Sequence, residues 1–222
     1  VNRTVPVVAL VGGESSGKTT LSQALAAHLG RVHGLRCRLV DEHLRHWCEA
    51  AGRAPLAHEQ AAIAARQARL IAEAAAAPGA DLVIADTTAL VVAAYSELYF
   101  EDRTLWPEAI EWQRGYDLTL LMGLDLPWVS DGLFRDGPEV RARTDAVLRR
   151  VLHEAGLAFQ TIWGQGEERL HNALRPIGRL LGRELAPPLP DWGHGRLAWR
   201  CERCGDADCE HRLFRELLTR GR

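Results

Sequence analysis

Gly12, Gly13, Glu14, Ser15, Ser16, Gly17, Lys18 and Thr19 follow one another in the order G-x-x-x-x-G-K-T. These residue types at this spacing can wrap a polyphosphate. The glycines allow a tight turn in which several backbone N–H groups aim at one anion, and Lys18 is long enough to reach β- and γ-phosphates. The Thr19 hydroxyl can ligate Mg²⁺, and Thr20 stands next to it. The chemistry would be nucleotide binding, with ATP and Mg²⁺ as the expected cofactors. The plainer alternative is a chance glycine turn beside a surface lysine. What precedes and follows the run argues against it: residues 5–11 are apolar and β-branched, and residues 20–29 repeat with helical spacing. A strand, a glycine loop and a helix in that order place the positive end of the helix dipole on the anion.

More candidates stand where other apolar runs end. Residues 36–40 read as a strand and lead into Asp41, Glu42, His43, Leu44 and Arg45. Two carboxylates and an arginine there can hold substrate hydroxyls and take up a proton. Equally, acidic residues can sit at a helix N-terminus because the dipole favours them. Residues 81–85 form a short apolar strand that ends in Asp86, followed by Thr87 and Thr88. A carboxylate at that place beside a phosphate loop approaches Mg²⁺ directly or through water; the rival reading is an N-cap for the next helix. The metal requirement of the loop favours the first. Residues 125–137 carry Pro127, Trp128, Asp131, Gly132, Arg135 and Gly137 and read as a loop. Phosphoryl transfer spreads negative charge, so Arg135 on a closing lid can neutralise it. The other view is a solvated basic face, which suits Arg149 and Arg150.

Positioning these groups takes a scaffold. Strand patterns at 5–11, 36–40, 81–85, 117–122 and 158–162 alternate with helical patterns at 20–29, 56–77, 89–99, 139–154 and 166–181, the last interrupted at Pro176. Alternation of this kind implies a parallel sheet with helices on both faces, and ligands in such sheets lie beyond the carboxyl ends of the strands. The expected fold is an α/β P-loop NTPase three-layer sandwich of about five parallel strands, in a domain spanning residues 1–186. Pro187, Pro188 and Pro190 mark a linker into a tail of different composition, 187–222. The 222 residues suffice for one such domain and an appendage, and the formal net charge of −2 gives no electrostatic case for nucleic acid or an anionic membrane. No apolar run reaches membrane-span length and no leader precedes the first strand, so a cytoplasmic protein is expected.

Several of these motifs together resemble one family, the NadR-type ribosylnicotinamide kinases, a branch of the P-loop small-molecule kinases. The matching pieces are GGESSGKTTL at 12–21, DEHLRHW at 41–47, DTTALVVAAYSELYF at 86–100, DLPWVSDGLFRD at 125–136 and GQGEERLHNAL at 164–174, within a span of about 5–182. The resemblance implies that Lys18 and Thr19 hold the ATP phosphates and Mg²⁺. It implies that Glu42 and Arg45 meet the acceptor's ribose, and that Asp86 serves Mg²⁺ or acts as general base. Trp128 and Asp131 then lie near the substrate, Arg135 is the lid arginine, and the loop through Arg169 faces adenine. Asp41 stands where the family often has proline, Phe134 separates Arg135 from its usual place, and Val92, Ala93, Ala94 and Tyr95 occupy a stretch where many members carry threonine and tryptophan. These departures fall near the acceptor's base, with Tyr95 as its candidate contact. They leave nicotinamide riboside, a related nucleoside or another vitamin-like metabolite as acceptor. The implied reaction moves the γ-phosphoryl of ATP onto a primary hydroxyl of a small molecule. The competing class is an ATPase or nucleotide-binding regulator whose tail meets a partner.

The tail is outside that resemblance. Cys201, Cys204, Cys209 and His211 offer four ligands within eleven residues, a set that can surround a structural Zn²⁺. A free-thiol tail or a redox Cys-x-x-Cys pair is the alternative.

Overall fold

The computed structural model describes residues 5–129 and 137–188. Five strands, β1 (Val7–Val11), β2 (Cys37–Val40), β3 (Leu82–Asp86), β4 (Leu118–Met122) and β5 (Gln160–Ile162), form one parallel sheet in the order β2-β3-β1-β4-β5. The sequence therefore predicted the strand count and the parallel arrangement, including the three-residue β5.

The two faces separate by the period-2 alternation of the strands. Val8, Leu10, Leu82, Ile84, Leu120, Met122 and Ile162 pack with Leu21, Leu25 and Leu29 of α1 (Lys18–His33) and with Ala173, Leu174 and Ile177 of α7 (Gly166–Leu181). Val11 and Leu121 face the other way. They join a cluster fed by α3 (Gln60–Ala76), α4 (Ala89–Phe100), α5 (Trp106–Arg114) and α6 (Pro138–Glu154). Val7, Val40, Val83 and Ala85 meet Ile71 of α3 on that side too. The result is helix, sheet, helix, with each fully buried Leu or Ile contributing roughly 1.5–3 kcal/mol.

Two short helices add to the expected set, one of them at the 41–45 segment where a helix N-terminus was the alternative reading. α2 (His43–Ala51) buries only Cys48 fully, and α5 is nine residues long with Pro107 in its first turn. Both are nine residues long, and each packs on a neighbour, α2 on α3 and α5 on α4. Proline in a first turn removes an N–H that had no helical partner anyway. The expected break at Pro176 does not occur. α7 runs through it, because Ala173, Leu174 and Ile177 are completely buried and hold both halves on the sheet.

Strand register decides what meets at the carboxyl edge. Leu10 pairs with Asp86 and Val40 with Ala85. The phosphate-loop sequence, Asp86 and the Asp41–Glu42 corner therefore leave the sheet side by side. The connection after β1 runs outward to β2, whereas the connection after the adjacent β3 runs back past β1 to β4. That switch point is where a crevice opens in a doubly wound sheet.

Candidate active site

The loop after β1 turns into α1 with Gly17 at the N-cap, φ 80°. That conformation suits glycine, and a Cβ there would stand 2.7 Å from Leu126 Cδ1, so a larger residue meets both strain and overlap. The Ser16 hydroxyl donates to Gly13 O (2.6 Å). Lys18, only 6 % exposed, donates from Nζ to Gly12 O (2.9 Å) and Gly13 O (3.1 Å). The lysine thus lies along its own loop, its charge at the place where phosphates are expected. Glu14 and Ser15 form the crest. Ser15 adopts φ 52°, its hydroxyl accepts from Val129 N (2.9 Å), and its carbonyl accepts from Arg141 Nη1 (3.2 Å). Thr20 points to solvent from the first turn of α1.

Asp86 is 3 % exposed. Its Oδ2 accepts from the Thr19 hydroxyl at 2.5 Å, and its Oδ1 is buried with no hydrogen-bond partner. It does not cap α4. Thr88 does, its hydroxyl accepting from Leu90 N (3.3 Å). A buried carboxylate oxygen with no donor is costly unless something else meets it. A hydroxyl and a carboxylate at this distance, one of whose oxygens is orphaned, are the donor set that a hard, oxygen-loving divalent cation such as Mg²⁺ takes.

Between Asp86 and that cap lies Thr87, with φ 81° and 1 % exposure. A β-branched residue in the left-handed region is a true outlier, and such backbone concentrates at functional sites.

Glu42 occupies the N-cap position of α2 but makes no side-chain cap bond. The neighbouring His43 N–H is met instead by Gln67 Oε1 of α3 (2.8 Å). The Glu42 carboxylate therefore stays out of the helix end, with Arg45 Nε 4.0 Å away. Tyr95, in the middle of α4, packs its ring on the core cluster and lies 6.2 Å from the Tyr99 ring. Trp128 is half-buried, and its indole N–H is enclosed without a partner.

Arg169, which the resemblance sets beside adenine, is buried behind the phosphate loop. It is 4 % exposed, and its guanidinium donates to Ser16 O (2.9 Å), Asp125 Oδ1 (3.0 Å) and Gly164 O (3.0 Å). Asp125 Oδ2 also accepts from Gly164 N (2.6 Å). Burial lowers the basicity of Arg169 while Asp125 opposes that shift. The pair ties the back of the phosphate loop to the ends of β4 and β5. Arg141, 8 % exposed, fastens the other flank through Ser15 O and Leu126 O (2.9 Å). Sequence reasoning missed Gln67, Asp125 as a frame residue, and the anchoring of Arg141. Gln67 had a signal: a polar residue four positions from both Ile63 and Ile71, on the apolar stripe of an alanine-rich helix. Asp131 and Arg135 lie outside the described residues, as do Cys201, Cys204, Cys209 and His211. Among the described residues no cluster of His, Cys, Asp and Glu suits a metal by itself, and no helix is long and apolar enough to cross a membrane.

A parallel five-stranded sheet with a glycine loop at its switch point defines a P-loop protein. The model of the AAA domain family matches residues 7–169, and the chain belongs to that family. No curated protein sequence matches the chain. Among solved structures it is similar to the NadR protein in complex with NR, at 24 % identity and a TM-score of 0.69, covering 84 % of this chain and 54 % of that one. The NadR protein in complex with NAD and AMP-PNP is similar at 23 % identity, with a TM-score of 0.67 and 84 % and 52 % coverage. Thymidylate kinase from Ehrlichia chaffeensis, at 16 % identity, has a TM-score of 0.57 and coverage of 80 % and 99 %. The chain spans about half the length of the NadR proteins it resembles. At these identities the likeness is one of fold.

Proposed function

We propose that this chain is an ATP-dependent small-molecule kinase that phosphorylates a primary hydroxyl of a nucleoside-like acceptor, nicotinamide riboside foremost. One observation carries the reading. Two strand-end carboxylates stand on one side of the phosphate loop, and each is relieved of helix capping by another residue: Thr88 caps in place of Asp86, and Gln67 in place of Glu42. A switch that only binds and releases nucleotide has no need of a second liberated carboxylate.

The loop N–H groups and Lys18 bind the β- and γ-phosphates and position them. Thr19 and Asp86 would hold Mg²⁺, and the orphaned Asp86 Oδ1 fits that role. When bound, the ion neutralises charge that builds on the phosphate oxygens. Glu42, at the neighbouring corner, orients the acceptor hydroxyl and takes its proton as the oxygen attacks the γ-phosphorus. The bond from that phosphorus to the β–γ bridging oxygen breaks and ADP leaves. Arg45 lies beside Glu42 to engage the sugar, Trp128 offers an aromatic wall, and Arg135 is read from sequence as the lid cation. Positioning and electrostatics supply most of the rate in such a transfer.

The test is direct. The protein is incubated with MgATP and separately with nicotinamide riboside, a panel of nucleosides and a panel of hydroxylated vitamins, and products are weighed by mass spectrometry. A gain of one phosphoryl group on an acceptor, lost in Glu42→Gln, is expected. ADP released equally fast with no acceptor present would sink the kinase reading in favour of an ATPase or regulator.

A further inference from the structure

Gln67 lies midway along α3 and is 1 % exposed. Its amide joins three backbone groups from two different corners of the sheet. Oε1 accepts from His43 N (2.8 Å), the first residue of α2. Nε2 donates to Asp41 O (3.3 Å), the residue after β2, and to Thr87 O (3.4 Å), the residue after β3. Asp41 and His43 bracket Glu42, and Thr87 follows Asp86. One side chain therefore bonds to the backbone beside both carboxylates.

Only a planar amide can do this. It must accept on one atom and donate twice on the other, and glutamine is the side chain with that pattern and this reach. The strained Thr87 adds to the argument. Its φ of 81° persists only if the surroundings over-determine it, and the bond from Gln67 to its carbonyl is one of the restraints, with Thr87 N donating to Leu10 O (3.1 Å) as another.

We infer that Gln67 is a positioning residue for phosphoryl transfer, holding the Glu42 and Asp86 corners at the separation at which the acceptor hydroxyl lines up with the γ-phosphorus. This rests on the kinase reading above. Misalignment costs rate far more than nucleotide affinity, because the loop N–H groups and Lys18 supply most of the grip on the phosphates.

The test compares the full chain with Gln67→Met and Gln67→Glu. Four quantities are read: kcat and KM for nicotinamide riboside, the Kd of a fluorescent ATP analogue, and the melting temperature. Gln67→Met should keep analogue affinity within twofold and lower kcat/KM for the acceptor by about 10–100-fold. Gln67→Glu separates alignment from mere packing. A carboxylic acid presents one O–H donor and one carbonyl acceptor, whereas the carboxylate only accepts and repels the carbonyls of Asp41 and Thr87. Its kcat/KM relative to the parent should therefore climb as pH falls from 8 to 5.5. A flat ratio across that range, a Gln67→Met enzyme within twofold of the parent, or ATP-analogue affinity lost in step with activity would each overturn the inference. If the parent protein phosphorylates nothing, the kinase reading fails and takes this proposal with it; if the parent is active and the variants match it, only this proposal fails.

Discussion

Replacing Arg169 by methionine separates a frame residue from a base-reading one. The guanidinium is 4 % exposed and makes three hydrogen bonds of 2.9–3.0 Å, to Ser16 O, Asp125 and Gly164 O. Removing one partner of a buried ion pair costs about 3–5 kcal/mol. The Asp125 side chain is 26 % exposed and keeps its bond from Gly164 N, so water and that N–H soften the loss. The expected destabilisation is therefore near the lower end, about 3 kcal/mol. For a chain of this size that is a fall of about 6–12 °C in melting temperature. Releasing Ser16 O also loosens the phosphate loop. ATP and GTP should both bind about tenfold more weakly, a change of ~1.4 kcal/mol, with their ratio preserved. Differential scanning calorimetry and titration with each nucleotide supply the readouts. Asp125→Asn combined with Arg169→Met should cost less than the sum of the single changes, since both break one pair. An unchanged melting temperature together with an altered ATP/GTP preference would show that Arg169 reads the base and that the frame argument is wrong.

Three further outcomes are expected. Asp86→Asn should lower kcat by about 10–100-fold and shift half-saturation by Mg²⁺ upward, as for a lost metal-positioning group; equal activity at every Mg²⁺ concentration would refute its assignment. Burial pushes the Glu97 carboxyl up, but hydrogen bonds from Trp106, Arg103 and Arg150 prevail and hold it below its ordinary value of 4.5. A lowered folded-state pKa stabilises above the unfolded value and loses that contribution as acid protonates the group. The stability gap between the parent and Glu97→Gln should thus be widest above pH 4.5 and narrow below it; a gap independent of pH between 3 and 7 in urea titrations would contradict this. Purified protein should carry one Zn²⁺ per chain through Cys201, Cys204, Cys209 and His211, measured by elemental analysis, and Cys204→Ser should lose it. Full zinc retention in that variant rules out the ligand set.

Much of the molecule was legible before any coordinates. The phosphate loop is a contiguous string, so its residues carry their own geometry: Gly17 can take φ 80° and Lys18 follows at the start of α1. The strands announced themselves because a sheet buried on both faces demands unbroken apolar runs, as at Val7–Val11 and Leu82–Asp86, both buried throughout. Asp86 stood out in the sequence because it is a charged residue closing such an apolar run.

Other features depended on parts of the chain far apart in sequence. Whether Glu42 and Asp86 served as helix caps stayed open until Gln67, on a third element, was seen to cap α2 and Thr88 to cap α4. Arg169 stood in a segment that the resemblance assigns to adenine, and only folding brings Ser16, 153 positions away, to its guanidinium. Local sequence encodes backbone conformation and burial, because those arise from neighbours within a few residues. It does not encode which distant carbonyl a long polar side chain will meet, because the register of the sheet and the packing of the helices fix that distance.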